Sequence, residues 1–317
     1  MNSSIGIDSH RVAVYYQTQY DSSLAPNSPY GHYVSPLPLI AFITHLMLAA
    51  FHINFDDVSV HLNDFVPEAP YFDQMWADIA VMQSTGTKLI GMLGGAAPGT
   101  YTCLTPQYFD TYYPVLAGYI TKYNIDGLDL DVEQDTDLGV IVQLITQLRN
   151  DFGDDFIITA APVASALIEG ANLSGFDYVA LDATIGHEVA WYNAQFYSGF
   201  GTFFPDDLYL EIVNYGSPVT RIDPSRLVAT TLTNPAAGSG FVDIDSIVSS
   251  VQSLAGMQNF EFGGVAGWEY FNSLPGGDEQ PYLWAQTMRD TMEQLMTNQT
   301  QLANLKSSSR RSRVWAT

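Results

Sequence analysis

The sequence predicts an α/β protein that folds as a single-domain (β/α)8 TIM barrel. Short runs rich in β-branched and aromatic residues alternate with longer runs whose apolar residues have helical spacing, as in parallel βαβ units. About eight runs are strand candidates, a number that favours a closed barrel over an open doubly wound sheet. The chain has 317 residues, of which 47% are hydrophobic, and this is enough for one large core.

The first half of the chain contains four barrel-strand candidates and two helix candidates. The strand candidates lie at 11–17, 43–51, 88–95 and 127–133, and 58–64 is predicted to be a hairpin-like insertion. Helices are predicted over 70–86 and 105–124. We expect Thr105 to cap the second of these helices, and we expect Pro114 to kink or split it.

The second half of the chain continues the alternation. Strands are predicted at 156–164, within 188–201, at 226–232 and at 263–271. Helices are predicted over 136–153, 244–256 and 281–305, and 165–187 is predicted to be a long loop. The predicted domain layout is an N-terminal extension (1–10), a catalytic barrel (11–300) and a disordered basic tail (301–317).

The composition excludes several classes of partner. There are 34 acidic and 11 basic residues, for a net charge of −23. Such an acidic chain is a poor partner for nucleic acid or an anionic membrane, and no 18-residue apolar stretch is present. A neutral substrate such as an uncharged sugar fits better. We expect a monomeric, extracellular protein, although the first residues lack the apolar run of a signal peptide.

No cofactor or metal is predicted. Cys103 is the only cysteine, so the chain has neither an intrachain disulfide nor a cysteine-based zinc site. His45, His52 and His61 have spacings that match no common metal site. The glycine-rich GMLGGAAPGT lacks the lysine of a phosphate-binding loop, and its Gly94 and Gly95 are better explained by close approach of the backbone to a sugar.

The most informative segment is GLDLDVEQ (127–134), in which three carboxylates alternate with apolar residues. Because side chains alternate across a strand, Asp129, Asp131 and Glu133 share one face. In a barrel this face points inward and the apolar face meets the helices. Burial and like charges are then expected to raise the pKa of at least one acid and to couple the titrations. The alternative is a solvated face on an edge strand, which the flanking helices disfavour.

Glu133 is the last of the three acids and lies at the carboxyl end of the strand, where barrel active sites are found. DGLDLDVE (126–133) resembles the DxxDxDxE signature of glycoside hydrolase family 18, whose members are chitinases and endo-β-N-acetylglucosaminidases on (β/α)8 barrels. GMLGGAAPG (91–99), QFY (195–197) and GGVAGWEYF (263–271) resemble the third, sixth and eighth strands of that family. The resemblance covers about residues 11–290.

A finer resemblance, to the fungal endo-β-N-acetylglucosaminidases, is carried mainly by loops, where substrate preference is set. It rests on FHIN (51–54), VHLNDF (60–65), APVASAL (161–167), WYNAQFYSGFG (191–201) and GWEYFNSLPGG (267–277). This subgroup hydrolyses the GlcNAc-β1,4-GlcNAc core bond of N-glycans. The resemblance therefore implies an N-glycan or another GlcNAc-containing oligosaccharide as the partner.

The resemblance also implies roles for individual residues. The substrate's own 2-acetamido group is the nucleophile, and the anomeric configuration is retained. Glu133 would protonate the leaving oxygen, Asp131 would hold the acetamide and stabilise the oxazolinium ion, and Asp129 would support Asp131. Tyr197 would orient the acetamide carbonyl.

Further residues are predicted to bind the substrate. Trp268 is expected to form the floor under the sugar, and Gln195 to line the site. Tyr15, Asn193 and Glu269 are further candidate contacts. Simple packing is the alternative for Trp268, Tyr197 and Tyr15.

Two other functions remain open at this point. A chitinase would use the same chemistry on a polymer, and the acidic strand does not separate the two substrates. An inactive sugar-binding barrel belongs to a different class, and members of the family that lose the last acid of the signature become lectin-like. Glu133 is present here, which favours an enzyme.

Overall fold

The computed structural model describes residues 10–25, 30–217, 221–257, 260–295 and 297. Eight strands of this part of the chain form a closed sheet. They are β1 (Arg11–Tyr16), β2 (His45–Asn54), β3 (Lys88–Gly95), β4 (Gly127–Val132), β5 (Ile157–Ala160), β6 (Trp191–Gln195), β7 (Leu227–Leu232) and β8 (Gly264–Trp268). Each strand pairs in parallel with the next, and β8 pairs with β1. The predicted single-domain (β/α)8 barrel is confirmed.

Helices cover the outside of the barrel between successive strands. They are α1 (Asp73–Ser84), α2 (Phe109–Lys122), α3 (Leu138–Phe152), α4 (Tyr178–Ile185), α5 (Asp207–Asn214), α6 (Ile244–Ala255) and a closing helix α7 over 283–295. Between β1 and β2 the described residues form a two-stranded antiparallel sheet, Tyr20–Asp21 with His32–Tyr33, and a short 3-10 turn, Leu37–Leu39, in place of an α-helix. Among the described helices, none is both long and apolar enough to cross a membrane.

Two separate apolar layers hold the barrel together. The outer layer packs the outward faces of the strands against the helices, and it includes Leu128 and Leu130 of β4. A smaller inner cluster fills the barrel, with Met47 from β2 and Met92 from β3 among its members. The leucines of β4 therefore face the helices and its acids face the interior, as the alternation predicts.

A hairpin extends the barrel beside β2. The strand Ser59–Leu62 pairs antiparallel with the last residues of β2, so that His52 lies opposite His61. This confirms the predicted insertion at 58–64. The side chain of Asn63 fastens the hairpin to the barrel, because its amide donates to the Gln17 carbonyl (3.0 Å) and accepts from the Ala50 amide (3.1 Å).

The helix predicted over 105–124 begins later than expected and is not split. It runs from Phe109 to Lys122 without interruption, and Thr105 lies before its first turn. Pro114 lies inside the helix, where a proline removes one hydrogen bond, its own bond to the fourth preceding carbonyl. The buried face of the helix, which includes Leu116 and Ile120, compensates for that loss.

Two eight-residue helices and the one-turn helix Thr100–Cys103 were not predicted. The segment 165–187, predicted to be a loop, contains α4, whose N-cap Asp177 accepts a hydrogen bond from the Val179 amide. The helix α5 lies in the unassigned segment between β6 and β7. Both are only eight residues long, and so they offer little periodicity to detect. The predicted closing helix is helical over 283–295, whereas 298–305, the tail and residues 1–9 lie outside the described residues.

Candidate active site

A cavity of about 390 Å³ opens at the carboxyl ends of the barrel strands. Asp131 and Glu133 from β4 line it together with Gln195, Tyr197 and Trp268 from the ends of β6 and β8. A larger groove of about 910 Å³ lies between α2 and α3 on the outside of the barrel, away from these acids. The cavity at the strand ends is therefore the candidate active site.

Asp129 lies at the base of the site and is fully buried. Its carboxylate accepts hydrogen bonds from Tyr15 Oη (2.7 Å), Thr159 Oγ1 (2.6 Å) and Asn193 Nδ2 (3.0 Å). Burial raises the pKa of Asp129, and these three donors counteract the rise. Asp129 is thus a buried carboxylate whose oxygens are occupied by protein donors, and it lies beneath the cavity without lining it.

Asp131 and Glu133 form a coupled pair above Asp129. Burial raises the pKa of Asp131 well above its ordinary value, and the charges of Glu133 and Asp129 raise it further, as does a hydrogen bond shared with Glu133. Gln195 Nε2 donates to Asp131 Oδ1 (3.1 Å) and to Glu133 Oε1 (3.2 Å). The raised pKa favours the protonated form of Asp131, and both carboxyl groups line the cavity.

Glu133 differs from the other two acids in its exposure. It follows the last residue of β4 and is only partly buried, whereas Asp129 and Asp131 are buried. A carboxyl group that takes part in proton transfer to a substrate needs this access, and a carboxylate that only stabilises charge does not. The position of Glu133 at the mouth of the ladder of acids therefore suits a general acid.

Tyr197 and Trp268 are two of the aromatic residues that line the cavity with the acid pair. Burial raises the pKa of Tyr197 well above its ordinary value, and the charges of Asp131, Glu133 and Asp129 raise it further, so its hydroxyl remains a proton-bearing donor. Trp268 is partly buried and its ring packs against the edge of Tyr15, with 5.3 Å between the centroids. The indole thus has a fixed orientation and still lines the cavity.

Gly94 and Gly95 also line the cavity, and Gly94 is required by the backbone around it. Gly94 has φ of +98°, and a Cβ atom there would lie 2.3 Å from the Asp131 carbonyl oxygen. The parallel register places Gly94 directly beside Asp131. The sequence analysis predicted that these glycines allow the backbone to approach a sugar closely. For Gly94 the observed close approach is between β3 and β4, and it positions Asp131.

Three of the predicted substrate-binding residues lie behind the cavity wall. Tyr15 and Asn193 are buried and donate to Asp129, and Asn193 also accepts from Trp191 Nε1 (2.8 Å). Glu269 is buried and accepts from the amide and the hydroxyl of Thr18 (2.8 and 2.9 Å). These side chains hold the site together from below, and the structure places none of them in the cavity lining.

Sequence reasoning missed several residues of the site. Thr159 donates to Asp129 from β5, and the strand register that places it opposite Asp129 is visible only in the structure. The cavity is also lined by His52 of β2 and by Gln17, Leu173, Ser198 and Phe200 from the loops after β1, β5 and β6. A single sequence does not show which of these segments become neighbours in the folded barrel. Within the described residues, no group of three His, Cys, Asp or Glu side chains is placed to hold a metal ion.

Comparison with solved structures gives two full-length similarities. A fungal endo-β-N-acetylglucosaminidase of glycosyl hydrolase family 18 is 42% identical over 89% of this chain and 97% of its own, with a TM-score of 0.80. The chitinase ChiC from Aspergillus fumigatus is 43% identical over 89% of this chain and 99% of its own, with a TM-score of 0.76. A family 18 chitinase from Pseudoalteromonas aurantia is 20% identical, with a TM-score of 0.71, and shares the fold.

Comparison with curated proteins gives partial matches. Chitinase 2 from Rhizopus oligosporus is 30% identical over 227 residues, or 66% of this chain. The chain spans about 39% of the length of this protein and of Chitinase 1 from Rhizopus niveus. No family model matches the chain.

A parallel eight-stranded barrel with neighbouring carboxyl groups at the ends of its strands is typical of barrel enzymes that use general acid–base catalysis. Within that class, the similarity to the fungal endo-β-N-acetylglucosaminidase and to ChiC extends over nearly the whole length of each. The chain belongs to glycoside hydrolase family 18.

Proposed function

We propose that the protein is an endo-β-N-acetylglucosaminidase that hydrolyses the GlcNAc-β1,4-GlcNAc core bond of N-glycans. The observation that carries this proposal is the similarity to the fungal endo-β-N-acetylglucosaminidase, at 42% identity and a TM-score of 0.80 over 97% of that chain. The loop segments that resemble this subgroup, such as GWEYFNSLPGG (267–277), support the same substrate.

The proposed first step forms a bond within the substrate. The acetamide carbonyl oxygen attacks C1, and the glycosidic bond breaks as Glu133 transfers its proton to the leaving oxygen. Asp131 accepts a hydrogen bond from the acetamide N–H and balances the positive charge of the oxazolinium ion. The raised pKa of Asp131 and its hydrogen bond with Glu133 support this division of labour, because they place the two carboxyl groups side by side at the cavity.

The proposed second step returns the protein to its starting state. Glu133, now ionised, takes a proton from a water molecule that attacks C1 from the face the leaving group has vacated. The oxazolinium ring opens, the acetamide is restored and the anomeric configuration is retained. Tyr197 and Gln195, which line the cavity beside the acids, support the proposal as donors that hold the acetamide in place.

Chitin hydrolysis is the second candidate function. The 43% identity to ChiC and the matches to the two Rhizopus chitinases favour it. The chemistry would be the same, and only the sugars on either side of the cleaved bond would differ. An inactive sugar-binding barrel, which would lack the acid, is disfavoured because Glu133 is present at the mouth of the site.

One experiment decides between the two substrates. The protein is incubated with a high-mannose glycoprotein and, separately, with chito-oligosaccharides, and the products are weighed by mass spectrometry. A glycoprotein that retains a single GlcNAc at each site supports the proposal. Shortened chito-oligosaccharides together with an unchanged glycoprotein would replace it with the chitinase function.

A further inference from the structure

The inner face of β6 carries a second ladder of side chains, which faces the acids of β4. Side chains from alternate strands share the layers inside a (β/α)8 barrel, and β4 and β6 are alternate strands. Gln195 at the end of β6 donates to Asp131 Oδ1 (3.1 Å), and Asn193 two residues earlier donates to Asp129 Oδ1 (3.0 Å). Two residues earlier still, Trp191 belongs to the apolar cluster inside the barrel. Trp191 therefore lies beneath the two amides that contact the acids.

The indole of Trp191 determines which way round the Asn193 amide lies. Trp191 Nε1 donates to Asn193 Oδ1 (2.8 Å), and an indole nitrogen can only donate. With the amide turned round, its NH2 group would face the indole N–H and its oxygen would face the carboxylate of Asp129. Both pairings would be unfavourable, because all three side chains are buried. The NH2 group of Asn193 is therefore directed at Asp129.

Trp191 is itself held in one place at the amino end of the barrel. The guanidinium carbon of Arg11 lies 4.4 Å from the centroid of the indole, and the ring of His45 meets the indole edge-on with 4.8 Å between the centroids. Burial, together with the charges of Arg11 and Lys88, lowers the pKa of His45 to about 3, so that its ring is neutral. Arg11 is anchored in turn, because its Nη1 donates to the Ser225 carbonyl (2.8 Å). The indole N–H thus has a fixed direction.

Asn193 differs in kind from the other two donors to Asp129. Tyr15 Oη (2.7 Å) and Thr159 Oγ1 (2.6 Å) are hydroxyl groups, which can donate to a carboxylate or accept from a protonated carboxyl group. The NH2 group of Asn193 can only donate, and a donor stabilises the ionised form of a carboxyl group more than the neutral form. Asn193 therefore opposes the protonation of Asp129 that burial favours.

The other titratable groups around Asp129 come from several elements. On β4, burial raises the pKa of Asp131, and the charges of Glu133 and then of Asp129 raise it further. Burial also raises the pKa of four tyrosines, and the charge of Asp129 adds to the rise in each, so that all four hydroxyls keep their protons at neutral pH: Tyr15, Tyr101, Tyr178 and Tyr197. A proton kept off Asp129 is therefore left to the two acids nearer the cavity.

We propose that Trp191 is a positioning residue of the active site, which holds the Asn193 amide as a donor to Asp129 and so keeps that carboxyl group ionised beneath the cavity. An ionised Asp129 leaves any proton of the strand to Asp131 and Glu133, and its negative charge adds to that of Asp131 when the oxazolinium ion forms. The proposal rests on the proposed roles of these acids and applies to either substrate, because it does not depend on the sugars beyond the cleaved bond.

Trp191→Phe tests the proposal, because it keeps an aromatic ring beside Arg11 and His45 and removes the indole N–H. The titration midpoint of Asp129 is expected to rise by about one pH unit, the size expected for loss of one hydrogen bond to a charged group. It is measured by carbon NMR of protein labelled in its aspartate carboxyl groups, with the Asp129 signal assigned by its absence from Asp129→Asn. An unchanged midpoint in a folded Trp191→Phe protein would overturn the proposal.

Asn193→Leu tests whether Trp191 acts through the amide. It removes the donor at similar volume, and it is expected to raise the Asp129 midpoint by at least as much as Trp191→Phe. The double variant should show no further rise, because the indole has no amide left to orient. An unchanged midpoint in Asn193→Leu, or shifts that add in the double variant, would overturn the proposal. This second variant keeps the test decisive if Trp191→Phe does not fold.

Trp76→Phe is the matched control, because Trp76 Nε1 on α1 also donates a hydrogen bond, to the Pro67 carbonyl (2.8 Å), and the ring lies outside the lining of the active-site cavity. Its Asp129 midpoint is expected to equal that of the wild type, and an equal rise in Trp76→Phe and Trp191→Phe would overturn the proposal.

The pH profile of hydrolysis gives an independent readout, on whichever of the two substrates the wild type cleaves. In Trp191→Phe the acidic limb of kcat/KM is expected to move to higher pH, because the acid strand takes up its next proton more readily. A uniform fall of kcat/KM at every pH would indicate a purely structural role and overturn the proposal. The NMR titration needs no substrate, so cleavage of neither substrate by the wild type would contradict the proposed function and leave the orientation of Asn193 by Trp191 to be decided by the midpoints.

Discussion

The three acids of β4 share one face of one strand and yet have three different environments. Asp129 is buried and bonded to three donors, Asp131 is buried beside a second carboxyl group, and Glu133 is partly exposed. The spacing along the strand produces this gradient, because each step of two residues moves a side chain about 7 Å towards the open end of the barrel.

Replacement of the outermost acid tests the role of the proton. Glu133→Gln keeps the shape of the side chain and removes the transferable proton, so kcat is expected to fall by roughly 10² to 10⁴-fold. The Kd for the glycan is expected to change by no more than about threefold. Such a change corresponds to about half of the 1.4 kcal/mol that a tenfold change requires. Hydrolysis is followed by mass spectrometry and binding by calorimetry. Glu211→Gln, at an exposed position on α5, serves as the control, and undiminished turnover by Glu133→Gln would refute the mechanism.

Asp131 is predicted to reduce the stability of the fold at neutral pH. Its pKa is raised in the folded chain, mainly by burial, whereas the unfolded chain keeps a value of about 3.9. Between these two pKa values the folded chain binds more protons than the unfolded chain, so this group makes the free energy of unfolding fall as pH rises. Below about pH 4 the penalty disappears, because the group is protonated in both states.

Asp131→Asn should therefore raise the Tm at pH 7, by roughly 1.5 °C for each kcal/mol of relieved penalty in a chain of 317 residues. The gap between variant and wild type should narrow as pH falls towards 4. Thermal unfolding followed by circular dichroism at pH 4 to 8 measures both quantities. Asp154→Asn, an exposed position, is the control. A gap that does not change with pH would show that relief of the buried charge is not the cause.

At the residue scale, the sequence predicted Asp131, Glu133, Tyr197, Trp268 and Gln195 as site residues, and the structure brings these five into one cavity with Asp129 buried beneath it. Their placement in the site follows from the alternation of side chains along a strand and from the resemblance to glycoside hydrolase family 18. Thr159 and the cavity residues from separate loops were not predictable, because their roles depend on which strands become neighbours and in what register.

At the scale of elements, the contact between β3 and β4 positions the site. Gly94 lies beside Asp131, and there is no room for a Cβ atom between the two backbones. Gly99 is a natural comparison: its φ of +123° is also in the region that favours glycine, but a Cβ atom there would meet nothing within 4 Å.

Gly94→Ala and Gly99→Ala therefore separate two effects. Gly99→Ala should cost only backbone strain, about 1 kcal/mol of the free energy of unfolding. Gly94→Ala adds a steric clash with Asp131 and should cost roughly 3 kcal/mol or more, with a large loss of kcat because the acid pair moves. Urea unfolding and hydrolysis assays measure the two losses. Similar losses for both variants would show that the packing of β3 against β4 has no special role.

The strands were easier to predict than the helices. The buried strand β7 (LVATTL) is a short run of apolar and β-branched residues, and β4 (GLDLDV) is marked by strict alternation of apolar residues with acids. Pro114 misled the prediction of α2, because the apolar face of a packed helix outweighs one missing hydrogen bond. The short helices α4 and α5 escaped because two turns give little periodic signal, and their stability comes from packing on the barrel.

At the scale of the whole molecule, the dominant property is a net charge of −23. Like charges over one surface destabilise the compact state, and the effect is screened by salt. Raising NaCl from 10 to 200 mM shortens the Debye length from about 30 Å to less than 10 Å. The Tm is therefore expected to rise by several degrees across this range.

Thermal unfolding at fixed pH in increasing NaCl tests this expectation. Sucrose at matched osmolality is the control, because it is excluded from the protein surface without screening charge. A Tm that stays constant or falls with NaCl would mean that the acidic groups lie far enough apart to contribute no net repulsion.

The closure of the barrel has a consequence for how the protein is made. Arg11 of β1 pairs with Gly264 of β8, so the first and last strands are neighbours although some 250 residues separate them. When the residues up to β7 have emerged from the ribosome and β8 has not, one edge of β1 still lacks its partner strand. An open parallel edge can pair with other chains, and contacts of such long range form slowly. The interval before β8 emerges is thus the period in which the nascent chain is most exposed to aggregation and most in need of a chaperone.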